Sequence, residues 1–74
     1  MEFGLYFKRC RRKSGKTQKQ VAEYLGVCQS SVSDWESNIS RPDYEKLLEL
    51  ARFYDVTVSE LLGQEHIVGL SKNI

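Results

Sequence analysis

Residues 17–36, Thr-Gln-Lys-Gln-Val-Ala-Glu-Tyr-Leu-Gly-Val-Cys-Gln-Ser-Ser-Val-Ser-Asp-Trp-Glu, constrain this chain more than any other stretch. Val21, Leu25, Val32 and Trp35 recur at helical spacing on either side of Gly26, so one apolar face is interrupted by one break. Thr17 and Gln20 form a reciprocal start signal. The hydroxyl can accept from the third residue's N–H, and the amide can reach back to the cap. Leu25-Gly26 is a stop signal, because glycine enters the left-handed region without steric cost. Only Val27 and Cys28 separate this stop from the next helical run. Two helices joined so tightly must cross steeply and touch near the turn. Ala22 is small enough to allow that contact, and Val32 is a plausible partner for it.

The rest of the chain must supply a core for this pair. With 74 residues there is room for one small domain, and nearly all apolar residues are needed in it. An apolar fraction of 41% and a charged fraction of 28% are ordinary for a soluble globular fold. The first helix is predicted over Phe3 to Lys13, with Phe3, Phe7 and Cys10 on one stripe and Tyr6 beside it. Ser14-Gly15 breaks it. Ser37 to Pro42 reads as a loop, with Asn38 as a turn residue that tolerates positive φ. The fourth helix is predicted over Asp43 to Tyr54. Its apolar residues Tyr44, Leu47, Leu48, Leu50, Ala51 and Tyr54 form a stripe wider than one face needs. That stripe is either buried on two sides or partly reserved for a partner. Asp55 suits the left-handed turn that follows. Thr57 and Glu60 cap a fifth helix carrying Val58, Leu61 and Leu62, and Gly63 stops it. The expected division is a domain over residues 1–63 and a short tail over 64–74, whose Ile67-Val68-Gly69-Leu70 is apolar enough to pack against something.

Charge and cysteine usage narrow the function. The net charge is +1, but residues 1–36 hold seven cations against four anions, while residues 37–74 hold four against six. The half containing the tight turn is therefore the basic half, as a phosphate-facing surface requires, although a merely solvated face would look the same. No apolar run approaches the roughly 18 residues of a membrane span, and no leader with a cleavage site is legible. Cys10 falls on a core stripe and Cys28 at a helix cap, where sulfur is a weak acceptor. They make no disulfide framework, so a reducing cytoplasm is expected. With His66 they have no zinc spacing, and the single histidine lacks the neighbours that catalysis needs. No cofactor, metal, catalytic residue or small-molecule substrate is expected.

Taken together, Thr17-Gln18, Val21-Ala22, Leu25-Gly26-Val27, Val32-Ser33, Trp35-Glu36, Arg41-Pro42, Leu47-Leu48, Leu50-Ala51, Val56 and Leu61-Leu62 give a pattern that resembles the Xre/Cro type of DNA-binding domain, found in phage repressors and bacterial regulators. The resemblance covers about residues 3–63. It implies an all-α, five-helix, lambda-repressor-like fold with its helix-turn-helix at helices 2 and 3. It also implies that helix 3 enters the major groove of double-stranded DNA.

On that resemblance, the base-reading positions are Gln29, Ser30, Ser33 and Asp34. Gln29 has the amide geometry for adenine. Asp34 is either an acceptor for cytosine N4 or only a solvated charge. Phosphate positions are Gln18, Lys19, Ser31, Asn38, Ser40 and Arg41, with Ser31 alternatively part of the helix's own capping. Arg11 and Glu36 match a structural ion pair. The chain departs from the common pattern at Lys16, where Leu or Met is frequent and a more solvated joint is expected. It departs again at Ser37-Asn38-Ile39, where Asn-Gly-Lys is frequent, and at Asp34, where a cation is frequent. The expected function is a repressor that binds a palindromic operator as a homodimer. The alternative is an antitoxin or accessory module that binds a partner protein through helices 4–5 and the tail.

Overall fold

Side-chain caps start the second, fourth and fifth helices. The computed structural model describes residues 3–63, and among them five helices and no strand are found: α1 (Phe3–Lys13), α2 (Gln18–Leu25), α3 (Gln29–Glu36), α4 (Tyr44–Tyr54) and α5 (Val58–Leu61). Thr17 Oγ1 accepts from Gln20 N at 3.0 Å and Gln20 Oε1 accepts from Thr17 N at 2.9 Å, which completes the capping box. The side chains of Asp43 and Thr57 cap α4 and α5 by accepting from the N–H groups of Lys46 and Glu60. Asp43 thus stands just outside α4 as its cap rather than as its first residue. Cys28 makes no side-chain cap bond, as the weak acceptor strength of sulfur predicts.

The turn between α2 and α3 depends on backbone chemistry. Gly26 takes φ 70° and ψ 34°, and Val27 N donates to the Ala22 carbonyl at 3.0 Å. The chain therefore reverses within two residues while satisfying carbonyls that the helix end would otherwise leave bare. Among the described residues, Asn38 and Asp55 are the non-glycine residues with positive φ, at 62° and 58°.

The core draws on all five helices. Phe7 and Cys10 come from α1, Val21, Ala22 and Leu25 from α2, Val32 and Trp35 from α3, Leu50, Ala51 and Tyr54 from α4, and Leu61 from α5. Val21 and Leu61 are wholly inaccessible. Burying a side chain of this size contributes about 1.5–3 kcal/mol, so a few such residues decide whether so small a domain folds. α1 packs on α3 and α5, α2 on α3 and α4, and α4 on α5. The α4 stripe divides as its width suggests. Leu50, Ala51 and Tyr54 are buried and Leu47 is half-buried, while Tyr44 and Leu48 remain exposed. The tail, with His66 and Ile67 to Leu70, lies outside the described residues.

Candidate nucleic-acid interface

Val32 and Trp35 anchor α3 by one face in the core, which turns the opposite face outward. That outward side carries Ser30, Ser33 and Asp34, with Gln29 on its flank. Gln29 and Ser30 are exposed, and Ser31, Ser33 and Asp34 are half-buried. No apolar side chain interrupts this row of amide, hydroxyl and carboxylate. With no side-chain cap at Cys28, the Ser31 N–H donates to the Cys28 carbonyl at 3.0 Å.

The position of α3 is fixed by an ion pair at its C-terminus. Arg11 Nε donates to Glu36 Oε2 at 2.6 Å and Nη2 to Oε1 at 3.1 Å, a fork-to-fork pair. The two side chains are 12% and 4% exposed, so water screens the pair little. The hydrogen bond to Glu36 raises the Arg11 pKa further, keeping the guanidinium charged. The remaining arm of Arg11 donates from Nη1 to the Lys16 carbonyl at 2.9 Å, which ties in the α1–α2 joint.

Gln18 joins the same network. Its Nε2 donates to Glu36 Oε1 at 3.1 Å, so one amide hydrogen is committed to the carboxylate and one remains available. The α2–α3 angle is thus held by the turn at one end and by Gln18 and Glu36 at the other. This bond is not legible from spacing, because it joins residues 18 positions apart.

Three cations lie on the segments before and after α3 in the chain. Lys19 is exposed in the first turn of α2. Arg41 is exposed beyond α3, and its guanidinium lies 5.0 Å from the centre of the Phe3 ring. Lys16 is half-buried, and its ammonium sits 5.2 Å over Phe53, which stacks on Tyr24 at 4.2 Å. The Lys16 ammonium therefore rests on an aromatic pair, while Gly15 and Thr17 on either side of it are exposed, as expected of a solvated joint.

The loop after α3 is held by backbone and side-chain bonds. Ile39 N and Ser40 N donate to the Asp34 carbonyl at 2.9 and 3.4 Å. Asn38 Oδ1 accepts from Gly4 N at 2.9 Å. Asn38 therefore caps the N-terminus of α1 from 34 residues away, and only its Nδ2 is left for a phosphate. Ser40 is exposed, and Ile39 stands 72% exposed in the same loop.

Gly4 is a positioning residue that spacing did not single out. A Cβ there would press on the backbone carbonyl of Glu36 and lie 2.8 Å from the Trp35 carbonyl oxygen. The available signal was a glycine inside a helix, which costs about 1 kcal/mol against alanine and so implies a close approach.

The helix-turn-helix family profile matches residues 7–61. The chain is 36% identical over 72 residues to the HTH-type transcriptional activator BcrR of Enterococcus faecalis, across 97% of this chain and 35% of BcrR. It is 36% identical over 67 residues to the HTH-type transcriptional regulator ImmR of Bacillus subtilis, across 90% of this chain and 53% of ImmR. To the uncharacterized HTH-type transcriptional regulator YobD of Bacillus subtilis it is 42% identical over 62 residues, across 80% of this chain and 55% of YobD. The chain thus spans about a third to a half of the length of these relatives.

Proposed function

The chain belongs to the Xre-type helix-turn-helix family of DNA-binding transcription regulators, and from this premise we propose a repressor that binds a palindromic operator as a homodimer. The observation that carries the reading is the polar face of α3, locked at its far end by Arg11 and Glu36, with the exposed cations Lys19 and Arg41 on the segments before and after it. Gln29, Ser30, Ser33 and Asp34 face bases. Gln18, Lys19, Ser31, Asn38, Ser40 and Arg41 face the phosphate strands on either side. Gln29 supplies the strongest discrimination, since its amide can make two bonds to one adenine, while the serines select weakly. A single module with so few base contacts gains affinity from a second half-site about 34 Å away, which calls for a symmetric dimer.

Selecting bound sequences from random DNA yields the operator on which to test this. Gln29→Ala is expected to weaken binding to that operator by about 1–3 kcal/mol and to leave binding to random duplex nearly unchanged. Equal losses on both would sink the base-reading role. A promoter fused to a reporter tests the sign of regulation. Repression is expected, and activation, the sense carried in the name of BcrR, would reverse that part of the proposal.

A second reading is a protein-interaction module, with an antitoxin as the type. The exposed Tyr44 and Leu48 on α4 favour it, because they form an apolar surface that the chain does not cover with its described residues. Failure of the folded protein to shift any duplex at low salt would shift the weight to this reading.

A further inference from the structure

We propose that Phe3 is a positioning residue for DNA affinity, acting through Arg41. The proposal rests on the phosphate-facing role of Arg41 argued above. The Arg41 guanidinium lies 5.0 Å from the centroid of the Phe3 ring. A guanidinium that packs flat on an aromatic ring leaves its N–H donors free along the edge. The edge is the part that meets a phosphate in a two-bond contact. The same side chain can therefore rest on Phe3 and bind DNA together.

The ring is itself held in place. Phe3 stacks on Phe7 with centroids 6.5 Å apart and planes 21° from parallel, and Phe7 is buried. The same helical turn is tied to the same loop a second time, since Gly4 N donates to Asn38 Oδ1 at 2.9 Å. On the loop side, Pro42 follows Arg41 directly, which restricts the Arg41 backbone to extended conformations. Ring, clamp and proline together reduce the freedom of a side chain that otherwise loses much rotamer entropy on binding. The first turn of α1 contributes to affinity in this way without touching a base.

The test measures binding of a mixed-sequence duplex at low salt by fluorescence anisotropy, because a phosphate contact does not need the operator. Phe3→Leu keeps an apolar side chain against Phe7 but removes the ring face. It is expected to weaken binding about two- to fivefold, the range of an exposed cation–aromatic contact. Phe3→Trp is expected to bind at least as well as the wild type. Introduced into Arg41→Ala, Phe3→Leu is expected to add no further loss. An equal loss in both backgrounds would mark Phe3 as a purely structural residue and overturn the assignment, as would an unchanged affinity for Phe3→Leu alone. Wild-type binding that Arg41→Ala does not weaken would overturn it too, by removing the contact through which Phe3 acts. If the folded wild type binds no duplex at all, the DNA reading falls and takes this assignment with it, a result distinct from the other three.

Discussion

At the residue scale, the buried groups that carry protons set how the domain responds to alkali. Burial raises the Cys10 thiol above its ordinary 9.0, with Glu60 adding to the rise and Lys13 opposing it. Burial also raises the Tyr54 phenol far above its ordinary 10.0, and Glu36 adds to that rise. In the unfolded chain both groups release their protons near the ordinary values. Above about pH 9 the unfolded state therefore binds fewer protons than the folded state, and stability falls as pH rises. The stability these groups contribute is complete below that point and is lost as pH climbs toward their folded values. The thermal midpoint is expected to stay level with respect to these groups up to roughly pH 8.5 and to decline beyond it. Tyr54→Phe should lower the alkaline part of that decline. Identical slopes for Tyr54→Phe and wild type in alkaline melts would exclude Tyr54 as a source.

At the element scale, the contact between α1 and α3 helps to set how α3 lies. Two effects compete at Gly4. Alanine would favour the helix by about 1 kcal/mol, because it loses less backbone entropy. Its methyl group would also collide with the Glu36 carbonyl, and backbone cannot rotate out of the way as a flexible side chain can. The collision should win, since overpacking costs about 1–3 kcal/mol and here must also displace the Asn38 clamp. Gly4→Ala is expected to lower the urea midpoint, and an unchanged or raised midpoint would show that α1 can slide on α3. Helix boundaries such as Thr17, Gly26 and Thr57 were legible because each depends on atoms within four residues, whereas Asp43 was read as the first residue of α4 and proved to be its cap. The role of Asn38 was only half legible. Its positive φ is a local property, but its bond to Gly4 depends on where α1 comes to lie.

At the scale of the whole molecule, the proposed dimer needs a surface away from the polar face of α3. Leu48 borders an open cleft of about 560 Å³ between α4 and α5, also lined by Arg52, Asp55, Val56, Val58 and Glu60. The cleft mixes an apolar floor with both signs of charge. Such a surface suits contact with a second copy, because cation and carboxylate on each partner can face their opposites across a twofold axis. If the proposed dimer uses this face, Leu48→Glu should give a monomer in sedimentation velocity and weaken operator binding. Its thermal midpoint as a monomer should hardly change, since Leu48 is 38% exposed. A dimer that survives the substitution would place the interface elsewhere.

The sequence by itself determined the five helices, the tight turn at Gly26 and the apolar residues that meet in the core. Each of these follows from spacing along the chain and from the conformations that single residues prefer. It also placed Gln29, Ser30, Ser33 and Asp34 on one helix, although only as a matching pattern. The tertiary structure decided the rest: Gln18 binding Glu36, Lys16 lying over Phe53, Gly4 meeting the backbone of α3, and Phe3 lying beside Arg41. These contacts join residues far apart in the chain, and their geometry exists only once the helix axes have been set by packing.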